Sequence, residues 1–138
     1  MMRTKSSFIL QETVSLLALI LSALTIAAVC VIPQAMIKRL SERMEPMVSR
    51  AIEYTQAELP ERALMEIAAM KELLLEASET LMDFYDHGGL QELYYAARTA
   101  EELAQAGDKT QLLTELTAIE CGLRRLRQIN EASLCNLF

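Results

Sequence analysis

Residues 14–32 read VSLLALILSALTIAAVCVI, and this stretch decides the fold of the chain. None of these residues carries a charge. As an α-helix rising 1.5 Å per residue, the stretch covers about 28 Å, close to the roughly 30 Å hydrocarbon thickness of a bilayer. A helix that is apolar on every side needs burial all round, in a large core or in lipid. A chain of 138 residues offers no large core, so the stretch predicts a transmembrane helix.

Residues 1–13 form a short basic tail ahead of the apolar run, with Arg3 and Lys5 as its cations. A basic tail followed by an apolar stretch is typical of a signal peptide or of an uncleaved signal anchor. Because the apolar run is longer than the about 7 to 15 residues of a signal-peptide core, we expect an uncleaved anchor. Cys30 follows Val29 where a lipidated cysteine would follow a small residue, so we interpret it as an ordinary membrane-embedded thiol.

Residues 8–12, FILQE, support a second interpretation. They resemble the start of a mature type IV pilin or pseudopilin, in which Phe opens the chain and Glu occupies the fifth position. Ser7 precedes Phe8, whereas the processing enzyme of that family strongly prefers Gly before the cut. Because Phe8 and Glu12 match the pilin pattern in spite of this departure, a pilin-like assembly subunit is retained as an alternative.

The basic residues flanking the apolar run favour neither orientation strongly. Two of them and the terminal amine precede it, and four follow it, namely Lys38, Arg39, Arg43 and Arg50. A short tail suits a signal anchor, so we expect a single-pass protein of the cell membrane with residues 33–138 on the extracytoplasmic side.

The segment 33–138 is acidic and predicts a helical bundle. It holds 11 Lys and Arg against 18 Asp and Glu, a poor match to nucleic acid or to an anionic lipid surface. Strand-like alternation is missing from the sequence, and helices are predicted over about 34–58, 61–86, 89–106 and 109–130, followed by a short C-terminal tail. Short turns force neighbouring helices to run antiparallel. The expected fold is all-α, one N-terminal transmembrane helix followed by a small up-and-down antiparallel helical bundle.

Apolar residues recur at steps of three and four along each predicted helix, which places them on one face. The four stripes, in chain order, are Ile37, Leu40, Met44, Met47, Ala51 and Tyr54; Ala63, Ile67, Met70, Leu74, Ala77, Leu81 and Phe84; Leu90, Leu93, Tyr94, Ala97, Ala100 and Ala104; and Leu112, Leu116, Ile119, Leu123 and Leu126. Further apolar residues widen the second stripe, so we expect this helix to contact two neighbours; they are Leu64, Leu73, Leu75 and Met82.

Prolines and glycines predict where the helices bend and end. Pro33 and Pro46 each remove a backbone donor, so bends are expected there, and Pro46 could restart the helix. Gly107 can adopt the left-handed conformation that ends a helix. Asp108 follows as a predicted N-cap, with Gln111 at the position of a capping box.

Residues that carry chemistry are few. His87 is the one histidine of the chain, which excludes a His-pair metal site and the paired Glu-x-x-His motifs of di-iron bundles. Asp83 and Asp86 could join His87 in a weak metal site, but a histidine at a helix end is far more often a capping residue. Neither a Ser-His-Asp arrangement nor a phosphate-binding glycine loop is indicated. We therefore predict no catalytic, cofactor-binding or metal-binding residue, and a protein that is not an enzyme.

Aromatic residues cluster around one predicted turn, and this cluster is the candidate interaction patch. It comprises Phe84, Tyr85, His87, Tyr94 and Tyr95. The first interpretation is a helical hairpin whose end is packed by aromatic rings; the second is a surface for a partner or ligand, since Tyr combines apolar area with a polar handle.

Cysteines outside the apolar run allow two states. Cys121 falls opposite the stripe through Ile119 and Leu123, so it should be exposed. Outside the cell it could remain a thiol, or pair with Cys135 or with another chain.

The order of features resembles a family. It is a single N-terminal anchor, a helical pair, His87 at a helix end, another helix, the turn 107–109 reading GDK, a Leu-repeat helix and the terminal SLCNLF of residues 133–138. This order is similar to that of a domain-of-unknown-function family of small membrane-anchored helical proteins from Gram-positive, often spore-forming, bacteria. Many members carry a Trp in the helical hairpin, and this chain has none. The resemblance implies the architecture and an extracytoplasmic position, and it supplies no active site.

Two functions are expected from these observations. The first is a non-enzymatic, membrane-tethered interaction or scaffolding module, because heptad stripes make association with another protein or with a second copy physically easy. The second is a ligand-sensing helical bundle that acts through a partner within the membrane. The lipid bilayer and a protein partner are the expected associates, and the sequence indicates neither a nucleic acid nor a particular small molecule.

Overall fold

A computed structural model describes the backbone of residues 3–81 and 88–135 and the side chains of residues 12–81 and 88–132. The described residues form four helices and no strand, which confirms the all-α prediction. The helices are α1 (Arg3–Gln56), α2 (Pro60–Leu81), α3 (Gly88–Ala106) and α4 (Lys109–Cys135). The chain divides into two compact units, Met1–Ile32 and Pro33–Phe138.

Helix α1 extends further at its start than the sequence predicts, and it is not interrupted. It begins at Arg3, inside the predicted tail, and its helical assignment runs through Pro33 and Pro46. The expected restart at Pro46 is therefore wrong. Met44 and Val48, on either side of Pro46, are fully buried in the core, and this packing holds the turn although one backbone donor is missing.

The second unit is an antiparallel four-helix bundle. Ion pairs between helices give the order: Arg50 of α1 reaches Glu66 of α2, and Lys71 of α2 reaches Glu101 of α3. Helix α4 returns along α1, because Lys109 contacts the Gln56 carbonyl near the end of α1 and Arg127 contacts Glu45 nearer its middle. The core side chains repeat in heptads and include Ile37, Met44, Val48, Ile67, Met70, Leu74, Leu90, Ala97, Leu116, Ile119 and Leu123.

The predicted stripes of α2, α3 and α4 supply the core, whereas the stripe of α1 is partly wrong. In α1 the buried seam continues from Met44 through Val48 to Thr55, while Met47 and Tyr54 lie at its edge, half-buried. The predicted stripe took Tyr54 in place of its buried neighbour Thr55, because an apolar stripe omits a polar residue, and it took Met47 in place of the buried apolar Val48. Helix α2 contacts two neighbours, α1 and α3, as the ion pairs show. Of the residues that widen its stripe, Leu73 packs against the core, Leu75 is 45% exposed, and Met82 lies outside the described residues.

Helix ends differ modestly from the predicted ones. Helix α1 ends at Gln56 and α4 continues to Cys135, past the predicted end near residue 130. Residues 82–87, where α2 was predicted to continue to about 86, lie outside the described residues. Asp108 caps α4 as predicted, because its Oδ1 accepts a hydrogen bond from the Gln111 N–H at 3.0 Å.

Candidate functional site

The apolar face of the first unit is the most exposed hydrophobic surface among the described residues. In residues 14–32 the large apolar side chains are 47% to 72% exposed. Two hydroxyl groups within this stretch are internally satisfied: Ser22 Oγ donates to the Ala18 carbonyl and Thr25 Oγ1 donates to the Leu21 carbonyl, each at 2.8 Å. Such back-bonding lets a hydroxyl enter hydrocarbon without an unpaired donor. Of the helices in the described part of the chain, one is long and apolar enough to cross a membrane, and it is this one.

The predicted aromatic patch is described only in part. Phe84, Tyr85 and His87 lie outside the described residues. Tyr94 is half-buried against the core, and its ring centroid is 5.9 Å from that of Tyr95 in an edge-to-face arrangement. Tyr95 is 54% exposed. The two described members of the patch therefore contact each other, one facing the core and the other facing solvent.

The end of the bundle formed by the α1–α2 and α3–α4 connections carries an unusual backbone conformation. Both α1 and α3 end in the same motif, in which a left-handed residue is bracketed by two backbone hydrogen bonds. In α3 this residue is Gly107 with φ of 74°, flanked by bonds from Asp108 N to Leu103 O and from Gly107 N to Ala104 O.

In α1 the corresponding residue is Glu58 with φ of 60°, the one non-glycine residue with positive φ in the described chain. Its motif is closed by Leu59 N donating to Tyr54 O at 2.8 Å and Glu58 N donating to Thr55 O at 3.3 Å. A non-glycine residue in this conformation is strained, and strained residues often serve a function. Glu58 is therefore a candidate functional residue.

A cavity opens between these two connections. It has a volume of about 270 Å³ and is lined by Thr55, Glu58, Pro60, Ala63, Ala104, Gly107, Lys109 and Leu112. The alanine methyl groups of Ala63 and Ala104 and the side chain of Leu112 form its apolar part. Since neighbouring layers of the bundle are filled by larger side chains, small residues at the end leave space. This cavity was not predicted from the sequence, although two alanines in stripe positions beside predicted turns were the available signal.

Glu58 and Lys109 form an ion pair at the rim of this cavity. Lys109 Nζ lies 3.3 Å from Glu58 Oε1 and 3.4 Å from the Gln56 carbonyl oxygen. Both contacts are long for hydrogen bonds, and the Glu58 side chain is 81% exposed. The pair is held loosely.

A groove between α3 and α4 is lined in part by small residues, and it is separate from the end cavity. Its lining includes Gly89, Ala96, Ala118 and Gly122. A Cβ atom added at Gly122 would lie 2.8 Å from Leu93 Cδ2, so glycine there permits close packing of the two helices. The glycine is explained by this internal contact.

Polar side chains in the core lie towards the end of the bundle where the chain enters at Pro33. Asn130 Nδ2 donates to the Gln34 carbonyl at 3.0 Å. Within the described part of the chain, three buried side-chain oxygens have no hydrogen-bond partner, namely Gln34 Oε1, Ser41 Oγ and Asn130 Oδ1. Each such atom costs stability.

Ion pairs connect neighbouring helices of the bundle. The Glu66 carboxylate, bound in a two-pronged contact of 2.8 and 3.0 Å, raises the pKa of Arg50 above its ordinary value. The hydrogen bond that Lys71 donates to the Glu101 carboxylate likewise raises the pKa of Lys71. Both cations are held in their charged form, the opposite of what a general base requires.

Groups of three or more His, Cys, Asp or Glu side chains placed to hold a metal ion do not occur among the described residues. Asp83, Asp86 and His87, the weak candidates from the sequence, lie outside them. Cys121 is exposed, as predicted. The side chain of Cys135 lies outside the described residues, so its predicted pairing stays a prediction.

The fold and its surfaces define a class: a helical protein whose first helix is apolar enough to span a membrane and also supplies the first helix of a four-helix bundle. Neither a family model, nor a curated protein, nor a solved structure matches the chain. The resemblance to a family of small anchored bacterial proteins therefore stays a prediction.

Proposed function

We propose that this protein is a single-pass membrane protein that holds an acidic helical bundle at the extracytoplasmic face of the cell membrane. In this proposal the bundle is a non-enzymatic interaction or scaffolding module for another envelope protein or for a second copy. The observation that supports it is the uncharged stretch 14–32, whose large apolar side chains are all exposed in the folded protein. Exposed apolar area of this extent favours lipid as its solvent.

Charge supports the choice of partner. The bundle segment 33–138 carries 18 acidic against 11 basic residues, so long-range attraction favours a partner with a basic surface. The cross-helix cations Arg50, Lys71 and Arg127 are engaged with carboxylates of the bundle itself. Their carboxylate partners are therefore neutralised internally, and the outward-facing acidic residues provide the excess charge.

Membrane anchoring is tested with charges placed in each unit. Leu21→Lys combined with Leu24→Lys should release the protein from membranes during an alkaline wash, because each lysine at mid-bilayer costs about 2.5 to 3.5 kcal/mol on insertion scales. Met65→Lys is the matched control: Met65 is 73% exposed, as exposed as the anchor residues, but lies on α2 in the bundle. It should leave membrane retention unchanged. Release of the unaltered chain by the same wash would overturn the anchoring proposal.

Sidedness is tested with the exposed thiol of Cys121. In a variant with Cys30→Ala and Cys135→Ala, a membrane-impermeant maleimide should label Cys121 in intact cells as strongly as after lysis. Labelling that requires lysis would place the bundle in the cytoplasm and contradict the proposed orientation.

The scaffolding role is tested by cross-linking in intact membranes, followed by identification of the attached proteins. A second chain of this protein or a basic envelope protein is expected. Replacing residues 14–32 with an unrelated apolar helix should preserve the cross-linked products of a scaffold, whereas a sensor coupled through the membrane, or a pilin-like subunit, would lose them. A monomer without partners would contradict the scaffold.

A further inference from the structure

The rim of the end cavity already holds a primary ammonium group, that of Lys109. Its acceptors are the Glu58 carboxylate at 3.3 Å and the Gln56 carbonyl oxygen at 3.4 Å. Because an ammonium is a compact cation with three donors, a carboxylate and a carbonyl placed side by side suit it well. The rim is thus a receptor for an ammonium group, occupied loosely by a residue of the same chain.

Electrostatics at this rim favour a cation over an anion. Gln56 is the last residue of α1, so its carbonyl lies at the negative end of the helix dipole. Glu58 adds a full negative charge beside it, and the bundle as a whole is acidic. An anionic ligand would have to displace Glu58 from Lys109 and would meet this negative potential.

The space below the rim suits a short apolar chain. It is a cleft of about 270 Å³ that opens to solvent at the rim. Ala63, Ala104 and Leu112 line it with apolar surface. The Thr55 hydroxyl is buried and donates to the Ala51 carbonyl at 2.7 Å, so it presents no free donor to a ligand ammonium.

The strain at Glu58 is consistent with a binding role. The same helix-ending motif at α3 uses Gly107, which adopts the left-handed conformation at little cost. Glycine at position 58 would lack a carboxylate at the rim. The residue that is conformationally unfavourable is therefore the one that supplies the charge.

We propose that the end cavity of the bundle binds a small primary alkylamine, whose ammonium takes the place of Lys109 Nζ between Glu58 and the Gln56 carbonyl and whose alkyl chain fills the apolar space. Lys109 is then an internal competitor that the ligand displaces. This site lies within the second unit, and its existence does not depend on the membrane anchoring proposed above.

The proposal is tested by titrating the full chain in lipid nanodiscs with pentylamine, while ¹³C-labelled alanine methyl groups are followed by NMR. The resonances of Ala63 and Ala104 should shift in a saturable way, while that of Ala96, in the α3–α4 groove, should not. Pentanol and pentanoate, the neutral and anionic counterparts, should bind more weakly. Equal binding of pentanol would show that the cavity selects apolar chains alone, and preference for pentanoate would show an anion site; either result overturns the proposal.

Two rim variants separate the charge contributions. Lys109→Met removes the competing ammonium and should tighten pentylamine binding about fivefold, as expected for one exposed charge contact. Glu58→Gln keeps the length of the side chain but removes its charge, and should abolish the preference for pentylamine over pentanol. Weaker pentylamine binding by Lys109→Met would show that Lys109 does not compete for the site.

Two alanine variants test the location. Ala104→Leu fills the cavity and should abolish binding, whereas Ala96→Leu, on the same helix but outside the cavity, should leave it unchanged. Far-ultraviolet circular dichroism checks that both variants are folded, and if Ala104→Leu is not, Lys109→Met and Glu58→Gln still decide the outcome. Binding that survives in folded Ala104→Leu would place the amine elsewhere.

Discussion

The two connections at one end of the bundle provide a matched test of backbone strain. Glu58 and Gly107 occupy equivalent positions at the ends of α1 and α3, with φ of 60° and 74°. The same two backbone hydrogen bonds surround each residue. The exchange experiment is Glu58→Gly in one connection and Gly107→Ala in the other.

The magnitudes follow from the conformation and from the contacts. The left-handed region costs an L-residue roughly 1 to 2 kcal/mol, while a glycine loses about 0.5 to 1 kcal/mol more conformational entropy on folding. Glu58→Gly should therefore have a free energy of unfolding about 0.5 to 1 kcal/mol above that of Glu58→Ala, since both variants lose the side-chain contact with Lys109 and only glycine relieves the strain. At Gly107 an added Cβ meets nothing within 4 Å, so Gly107→Ala carries the backbone cost alone. It should lower the free energy of unfolding by a similar amount.

The contribution of the ion pair is separated by Glu58→Ala. This variant keeps the strained backbone but loses the contact with Lys109, which at such an exposed position is worth about 0 to 1 kcal/mol. The assay is thermal unfolding of the full chain in a non-denaturing detergent, followed at 222 nm. A bundle of this size should shift its midpoint by about 4 to 8 °C per kcal/mol. If Glu58→Gly lowered the midpoint as much as Glu58→Ala does, the strain at position 58 would be refuted.

Three further predictions concern the bundle. Ser41→Ala removes a buried hydroxyl that has no partner among the described residues, and it should raise the free energy of unfolding by about 1 kcal/mol. Thr55→Val removes a buried hydroxyl that makes a hydrogen bond, and it should lower the free energy of unfolding by about 1 kcal/mol. Both are measured in the same thermal assay. Gly122→Ala should lower the midpoint, because the new Cβ would lie 2.8 Å from a core leucine, whereas at Gly89 the nearest atom is 3.5 Å away and alanine should be neutral or stabilising. Because the pKa of Lys71 is raised in the folded state, its ion pair stabilises the bundle fully below the unfolded-state pKa of lysine, and this stabilisation is lost as pH rises through the higher folded-state pKa. Lys71→Met should therefore reduce the loss of stability at alkaline pH. An unchanged dependence of stability on pH would contradict this prediction.

The apolar periodicity predicted three of the bundle helices well because the buried faces of α2 and α3, and that of α4 as far as Leu126, are made of apolar residues. In α4, Leu112, Leu116 and Leu123 all lie in the core, and the predicted stripe identified them. In α1 the seam includes Ser41 and Thr55, so the predicted stripe moved to neighbouring apolar positions. Polar residues in a core are set by contacts with other helices, and the periodicity of a single segment contains no information about those contacts.

The candidate site was the least predictable part for a related reason. The predicted patch consists of aromatic residues around His87, and of these only Tyr94 and Tyr95 fall within the described residues. The end cavity depends on Glu58 and Lys109, two residues that look like ordinary surface charges in the sequence. They meet only because two connections lie at one end of an antiparallel bundle. The left-handed conformation of Glu58 is likewise invisible in the sequence, where a glycine would have signalled it.

One variant, Glu58→Gly, tests both the strain at Glu58 and the proposed amine site. Glu58→Gly should make the bundle more stable than Glu58→Ala does and, by removing the carboxylate, should also abolish selective binding of an amine. A substitution that relieves strain while it removes binding is the pattern expected when a conformational cost is retained for a function. If Glu58→Gly instead raised the unfolding midpoint above that of Glu58→Ala and left amine binding intact, the strain would be real and the carboxylate would have no part in binding. The unfolding measurement therefore tests the backbone strain and the binding measurement tests the role of the carboxylate. Only the two results together link the conformation of Glu58 to a ligand.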